Sequence, residues 1–231
     1  MNRPSPVPFE DRTVGEIAVS LPGATAVFRR FKLDFCCGGD VRLADAAARR
    51  GADVAAIREA LEQLDQEAGA AAPEETAGLI DHIVRRYHET HRRELPELIR
   101  LAARVEAVHR ENPDVPAGLA TMLDRLLHEL EEHMGKEETE LFPLMRSGGH
   151  PTMAQPIAQL RHDHDGHGDL LRAVEEIAGE FRLPAGACRS WQALYAGTAK
   201  LVDDVMEHIH LENNLLFPRF ERSAEAEPAA G

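Results

Sequence analysis

The sequence predicts an all-α protein, with a small helical unit over residues 1–68 followed by an antiparallel four-helix bundle over 76–222. Three observations carry this expectation. Ala, Leu, Glu and Arg are abundant while aromatic residues make up only 5%, a bias that favours helix over strand. Beyond residue 75, apolar residues recur at helical spacing in four long stretches separated by short Pro- and Gly-bearing breaks. All 12 histidines lie between His82 and His210, so the chemistry of the chain changes near that same boundary.

In the first unit, Thr13-Val-Gly-Glu16 has capping-box spacing, with Thr13 as N-cap. Pro22 stands near the start of a second helix through Ala24, Val27, Phe28 and Phe31, and Gly38-Gly39 marks a turn. Asp53 can cap a last helix carrying Ala56, Ile57, Ala60, Leu61 and Leu64. So short a unit buries little apolar surface by itself, so it is expected to lean on a partner domain or on a second subunit in a homodimer. The segment at 69–75, GAAAPEE, reads as the linker. The bundle helices are placed at about 76–108, 116–146, 153–182 and 186–221. Between them lie Asn112-Pro113-Asp114-Val115-Pro116, Gly148-Gly149-His150-Pro151 and Leu183-Pro184-Ala185-Gly186. Pro96 falls inside the first of these helices and is expected to kink it.

The net charge of −14 argues against nucleic acid and anionic membrane surfaces as partners. No apolar run is long enough to span a bilayer, and the N-terminus does not read as a secretory signal. The three cysteines, Cys36, Cys37 and Cys188, do not form a disulfide framework and fit a reducing, cytoplasmic compartment.

The chemistry lies in an internal repeat. HMGKEETELFP from His133 and HIHLENNLLFP from His208 both read His-x-x-x-Glu-x-x-x-Leu-Phe-Pro, offset by 208 − 133 = 75. HETHRREL from His88 and HDGHGDLL from His164 match at an offset of 164 − 88 = 76. Residues i and i+4 share a helix face, so His133 with Glu137, and His208 with Glu212, can point together into a bundle. His88 and His164 then sit on the other two helices. One such pair would ordinarily be a solvated surface pair; two matched copies, each preceded by a matched histidine, point to ligands. Four imidazoles and two carboxylates form the ligand set of a dinuclear site, with iron favoured and manganese or zinc as alternatives. His91 and His167 also match across the repeat, three residues after His88 and His164; they could support the ligands or face outward, and the outward reading is favoured. His82, His109, His128, His162 and His210 are assigned to the surface, and His150 to a loop. Glu129 and Asp204, each four residues before a motif histidine, are candidates for orienting the ligand rings or relaying protons.

The strings RYHETHRRELPEL, HELEEHMGKEE and MEHIHLENN, with their Leu-Phe-Pro tails, resemble the hemerythrin-like domain. Asp34-Phe35-Cys36-Cys37-Gly38-Gly39 resembles the short N-terminal domain that precedes it in the iron–sulfur cluster repair di-iron proteins. This resemblance covers about residues 10–220. It implies two non-haem irons per chain, oxo-bridged when oxidised. His88, His133, Glu137, His164, His208 and Glu212 would be the ligands, the two glutamates bridging. The implied function is repair or protection of iron–sulfur proteins damaged by nitric oxide or oxidants. The alternatives are a nitric oxide reductase and a reversible sensor of O2 or nitric oxide. Adjacent cysteines do not readily bond to each other, so Cys36 and Cys37 read as thiolates able to relay iron or nitric oxide, against the alternative of packing beside Phe31 and Phe35. Cys188 reads as a small buried residue.

Overall fold

A computed structural model describes residues 7–21, 23–65 and 75–225. Pro22 and residues 69–74 of the expected linker lie outside them. Every extended element among the described residues is helical. The first unit holds α1 (Val14–Ser20), α2 (Ala24–Arg30), α3 (Leu43–Arg50) and α4 (Val54–Asp65). The capping box forms as expected: Glu16 N–H donates to Thr13 Oγ1 at 3.1 Å, and Thr13 N–H donates to Glu16 Oε2 at 2.9 Å. Asp53 Oδ1 accepts from Ala55 N–H at the start of α4.

The bundle begins with α5 (Thr76–Ile83), which passes through a π-helical turn, Val84–His88, into α6 (Glu89–Val108). Helix α6 continues through Pro96. Helix α7 (Leu119–Lys136) runs through a second π turn, Glu137–Leu141, into α8 (Phe142–Arg146). Helix α9 (Ala154–Ile177) has no such turn, and a short 3-10 segment at Gly179–Phe181 closes this stretch. Helix α10 (Arg189–His210) runs through a third π turn, Leu211–Leu216, into α11 (Pro218–Glu225). Helix α6 packs against α7 and α10, and α9 against α7 and α10, which closes a four-sided bundle.

Two apolar clusters fill it. One joins Val14, Ile17, Phe28, Phe35, Leu43, Ile57 and Leu61 of the first unit to bundle residues such as Leu123, Leu130, Leu171, Trp191 and Val205. The first unit therefore shares its core with its own bundle. The other cluster, with Leu79, Ile83, Phe142, Ile157, Leu216 and Phe217, fills the opposite end. On every bundle helix the repeat histidine or glutamate falls between the two. The polar groups are thus enclosed by apolar layers that exclude water and hold the backbone rigid.

Candidate metal centre

His88, His133, Glu137, His164, His208 and Glu212 converge between those layers, each no more than 2% exposed. Three of the four chain segments reach this level through π turns, which begin at Glu137, end at His88, or enclose Glu212. A π turn accommodates an extra residue and rotates the helix beyond it, and such turns are common at functional sites.

The six side chains fall into two groups that share both glutamates: His88, His208, Glu137 and Glu212, and His133, His164, Glu137 and Glu212. His88 Nε2 lies 2.9 Å from His208 Nε2, and His164 Nε2 lies 3.0 Å from His133 Nε2. Glu137 Oε2 is 3.5 Å from both His88 Nε2 and His133 Nε2. Glu212 reaches His208 Nε2 at 2.8 Å through one oxygen and His164 Nε2 at 3.1 Å through the other.

This donor set fits metal ions on two counts. Two imidazole nitrogens bound at about 2.1 Å to one ion, at a right angle, stand about 3.0 Å apart, which matches both pairs. In addition, neither carboxylate oxygen of the fully buried Glu137 has a hydrogen-bond donor. Such a group costs several kcal/mol unless positive charge compensates it. The cluster draws such charge. Burial disfavours protonated His88, yet hydrogen bonds to Glu138 and Glu212 and the charge of Glu137 push its pKa up to about 9. His133 rises too: burial opposes this, and Glu137 chiefly overcomes it. Burial lowers His208 despite Glu212. Glu212 falls well below the usual carboxylate range, since His208, His133 and His164 outweigh its burial. Mixed imidazole and carboxylate donors suit iron, manganese or zinc.

The Leu-Phe-Pro tails have a geometric role. Phe142 stacks on His88 with ring centroids 5.8 Å apart, and Phe217 stacks on His164 at 5.9 Å. Each tail thus fixes the ring plane of one repeat histidine. The outer ring nitrogens also obey the repeat. His88 Nδ1 lies 2.7 Å from Glu138 Oε1, and His164 Nδ1 lies 2.8 Å from Asn213 Oδ1. Glu138 and Asn213 each come one residue after a shared glutamate, so this signal stood in the aligned repeat. The hydrogen bond with His88 brings Glu138 down to about 2, with Arg92 adding to the effect.

Several expectations need correction. His91 and His167 face inward: they are 0% and 2% exposed, and their rings lie 5.4 Å from His208 and 4.9 Å from His133. Their i+3 spacing keeps them on the ligand face, and burial holds them neutral, His167 falling to about 3. His210 is also buried, beneath Phe35, and its Nδ1 contacts Asn214 Nδ2. His82 and His109 are half-buried, and His128, His150 and His162 are exposed. Glu129 is exposed and pairs with Arg125 at 3.5 Å. The carboxylate beside His133 is Asp163 of α9, with Oδ2 3.7 Å from Nδ1. Asp204 is buried but engages Arg86 at 2.7 Å and Lys200 at 2.8 Å, not a ligand ring. Cys188 is half-buried, with Sγ 3.2 Å from His109 Nε2.

Cys36 and Cys37 lie over the bundle. Their sulfurs are 3.8 Å apart, and Cys37 Sγ is 3.5 Å from the His164 carbonyl oxygen. Asp34 Oδ1 accepts from the Cys37 and Gly38 N–H groups. Contact with Cys37, burial and the charge of Asp34 push the Cys36 thiol well up.

Fold and site together define a hemerythrin HHE cation-binding domain, and the model of that family matches residues 79–220. A second model, a Domain of Unknown function (DUF542), matches residues 10–65. An iron-sulfur cluster repair protein YtfE of Musicola paradisiaca is 45% identical over 216 residues, covering 91% of this chain and 96% of that one. Counterparts of the same name from Citrobacter koseri and Escherichia coli O81 are 46% and 44% identical, each over 91% of this chain and 97% of the relative. The chain belongs to the family of these iron–sulfur cluster repair proteins.

Proposed function

We propose that this protein restores iron–sulfur clusters damaged by nitric oxide or oxidants, through two non-haem iron ions held by His88, His133, Glu137, His164, His208 and Glu212. The observation that carries this reading is the pair of four-residue groups sharing Glu137 and Glu212, inside a chain aligned almost end to end with repair proteins. Its clients are iron–sulfur proteins. No helix among the described residues is long and apolar enough to cross a membrane, in keeping with clients met in the cytoplasm.

Two bound irons would supply one-electron redox chemistry, an oxo bridge when oxidised, and binding of nitric oxide or O2. The protein's own groups set the conditions. Glu137 and Glu212 each face both histidine pairs and so would hold two cations close together. Glu138 and Asn213 keep the outer ring nitrogens of His88 and His164 oriented, and Asp163 sets a negative charge 3.7 Å from His133 Nδ1. Neutral His91 and His167 and the two apolar layers wall the site without adding charge. The names of the relatives favour repair over the reductase and sensor readings.

The test is reactivation. Iron-loaded protein is mixed with an enzyme whose [4Fe–4S] cluster has been destroyed by nitric oxide, and recovered client activity is followed. The expected result is faster recovery with the loaded protein and none above background with Glu212→Ala. Equal recovery with both would remove the metal centre from the function.

A further inference from the structure

The end of the bundle remote from the ligand cluster holds a cysteine and a histidine in contact. Cys188 Sγ lies 3.2 Å from His109 Nε2, although 79 residues separate them in the chain. Each stands at the end of a long helix. His109 is the C-cap of α6, its backbone N–H bonded to the Val105 carbonyl, and Cys188 is the N-cap of α10, where its side chain makes no capping hydrogen bond. The ring of buried Trp191, one turn into α10, rests on His109 with centroids 5.0 Å apart and fixes its plane. A thiol within hydrogen-bond reach of a base, with the base oriented by a third group, is the arrangement of an activated nucleophile. With the ring proton on Nδ1, Nε2 accepts the Cys188 S–H. The helix ends favour transfer of that proton: the C-terminus of α6 stabilises positive charge on the imidazole, and the N-terminus of α10 stabilises negative charge on sulfur. Cys188 is half-buried and follows a loop whose Arg182, Leu183, Ala185 and Gly186 are exposed, so a small reagent can reach it.

We propose that Cys188 and His109 form a nucleophile–base pair that takes up a low-molecular-mass disulfide as a mixed disulfide. The Cys188 proton passes to His109 Nε2 as the sulfur attacks one sulfur of the reagent. The new S–S bond forms as the reagent's own S–S bond breaks, and the leaving sulfur takes the proton from His109 and departs as a thiol. Cys188 is oxidised and the departing sulfur is reduced, so the disulfide itself is the oxidant. The adduct persists because no second cysteine is at hand to resolve it. Cys37 lies against the His164 carbonyl, at the ligand level, with Cys36 beside it. Along α10 that level, at His208, is 208 − 188 = 20 residues from Cys188, or about 30 Å of helix. The inference rests on neither the metal centre nor the repair reading.

The experiment incubates the full chain with oxidised glutathione at neutral pH. Peptide mass spectrometry follows the adduct at Cys188, and the fluorescence of Trp191, the one tryptophan of the chain, follows the same event in real time. A free thiol is already a few per cent ionised at neutral pH, so pairing with a base can speed its attack by no more than about 30-fold. His109→Phe, which keeps a ring against Trp191, should slow the adduct roughly tenfold within that bound. His109→Ala should slow it similarly and recover when imidazole is added to the buffer, which a merely structural role of the ring would not allow. Cys36 and Cys37 are the internal reference, and their rates should be the same in all three proteins. Adduct formation at Cys188 that is indifferent to both substitutions overturns the pair, and so does a His109→Ala protein that imidazole fails to rescue. Modification confined to Cys36 and Cys37, with Cys188 left free in the unaltered protein, overturns it equally.

Discussion

Glu137 and Glu212 belong to both ligand groups, whereas each histidine belongs to one, and this predicts an asymmetry between ligand variants. Glu212→Ala removes the carboxylate that reaches His208 at 2.8 Å through one oxygen and His164 at 3.1 Å through the other. His164→Ala removes only the partner of His133. A structural metal position worth about 10–16 kcal/mol spread over four ligands gives roughly 2.5–4 kcal/mol per ligand. Losing one ligand should therefore weaken a position by about 10²–10³-fold. In His164→Ala that penalty falls on one position, and one tight equivalent should remain at His88 and His208. In Glu212→Ala it falls on both. The assay is anaerobic competition with a chromophoric chelator, with circular dichroism to establish that helix content is unchanged, and with Glu212→Gln as a variant that fills the same space. One undisturbed equivalent in Glu212→Ala, or loss of both in His164→Ala, would refute the shared-carboxylate arrangement.

Glu138→Gln should weaken metal binding 10- to 100-fold, because it removes the anion that orients His88, and chelator competition measures the change. Gly39→Ala should loosen the first unit: a Cβ there would meet Asn214 Oδ1 at 2.7 Å. The overpacking cost of about 1–3 kcal/mol should lower the melting temperature by about 2–4 °C per kcal/mol, with faster proteolysis of the first unit. Acidification should release metal, since protons compete for imidazole and carboxylate donors; equilibrium dialysis of metal against pH should show affinity falling as pH falls.

The repeat made the ligand candidates legible because a helix converts i and i+4 into one face, and because duplicated spacing is hard to reach by chance. The capping box at Thr13 was legible for the same local reason. Contacts between helices were not. Asp163 reaches His133 from α9, and no periodicity within α7 reports it. Glu129 satisfied the spacing rule along its own helix, yet that line of residues emerges at the surface beside Arg125. His91 and His167 could by spacing lie beside the ligands or face outward; only the packing of neighbouring helices decides that they are buried against the ligand rings. The π turns had no recognised signature either, and they shift the phase just where the ligands lie. The docking of the first unit depends on Gly15 and Gly39 meeting Asn214, a fit across distant segments that composition alone does not encode.

The most direct test of the central claim is the metal content of the protein as isolated from iron-replete cells, taken with its absorption spectrum. Two irons per chain, with near-ultraviolet bands of an oxo-bridged ferric pair, is the expected result. Absence of iron, or stoichiometric zinc in its place, would contradict the redox centre and leave only the helical scaffold.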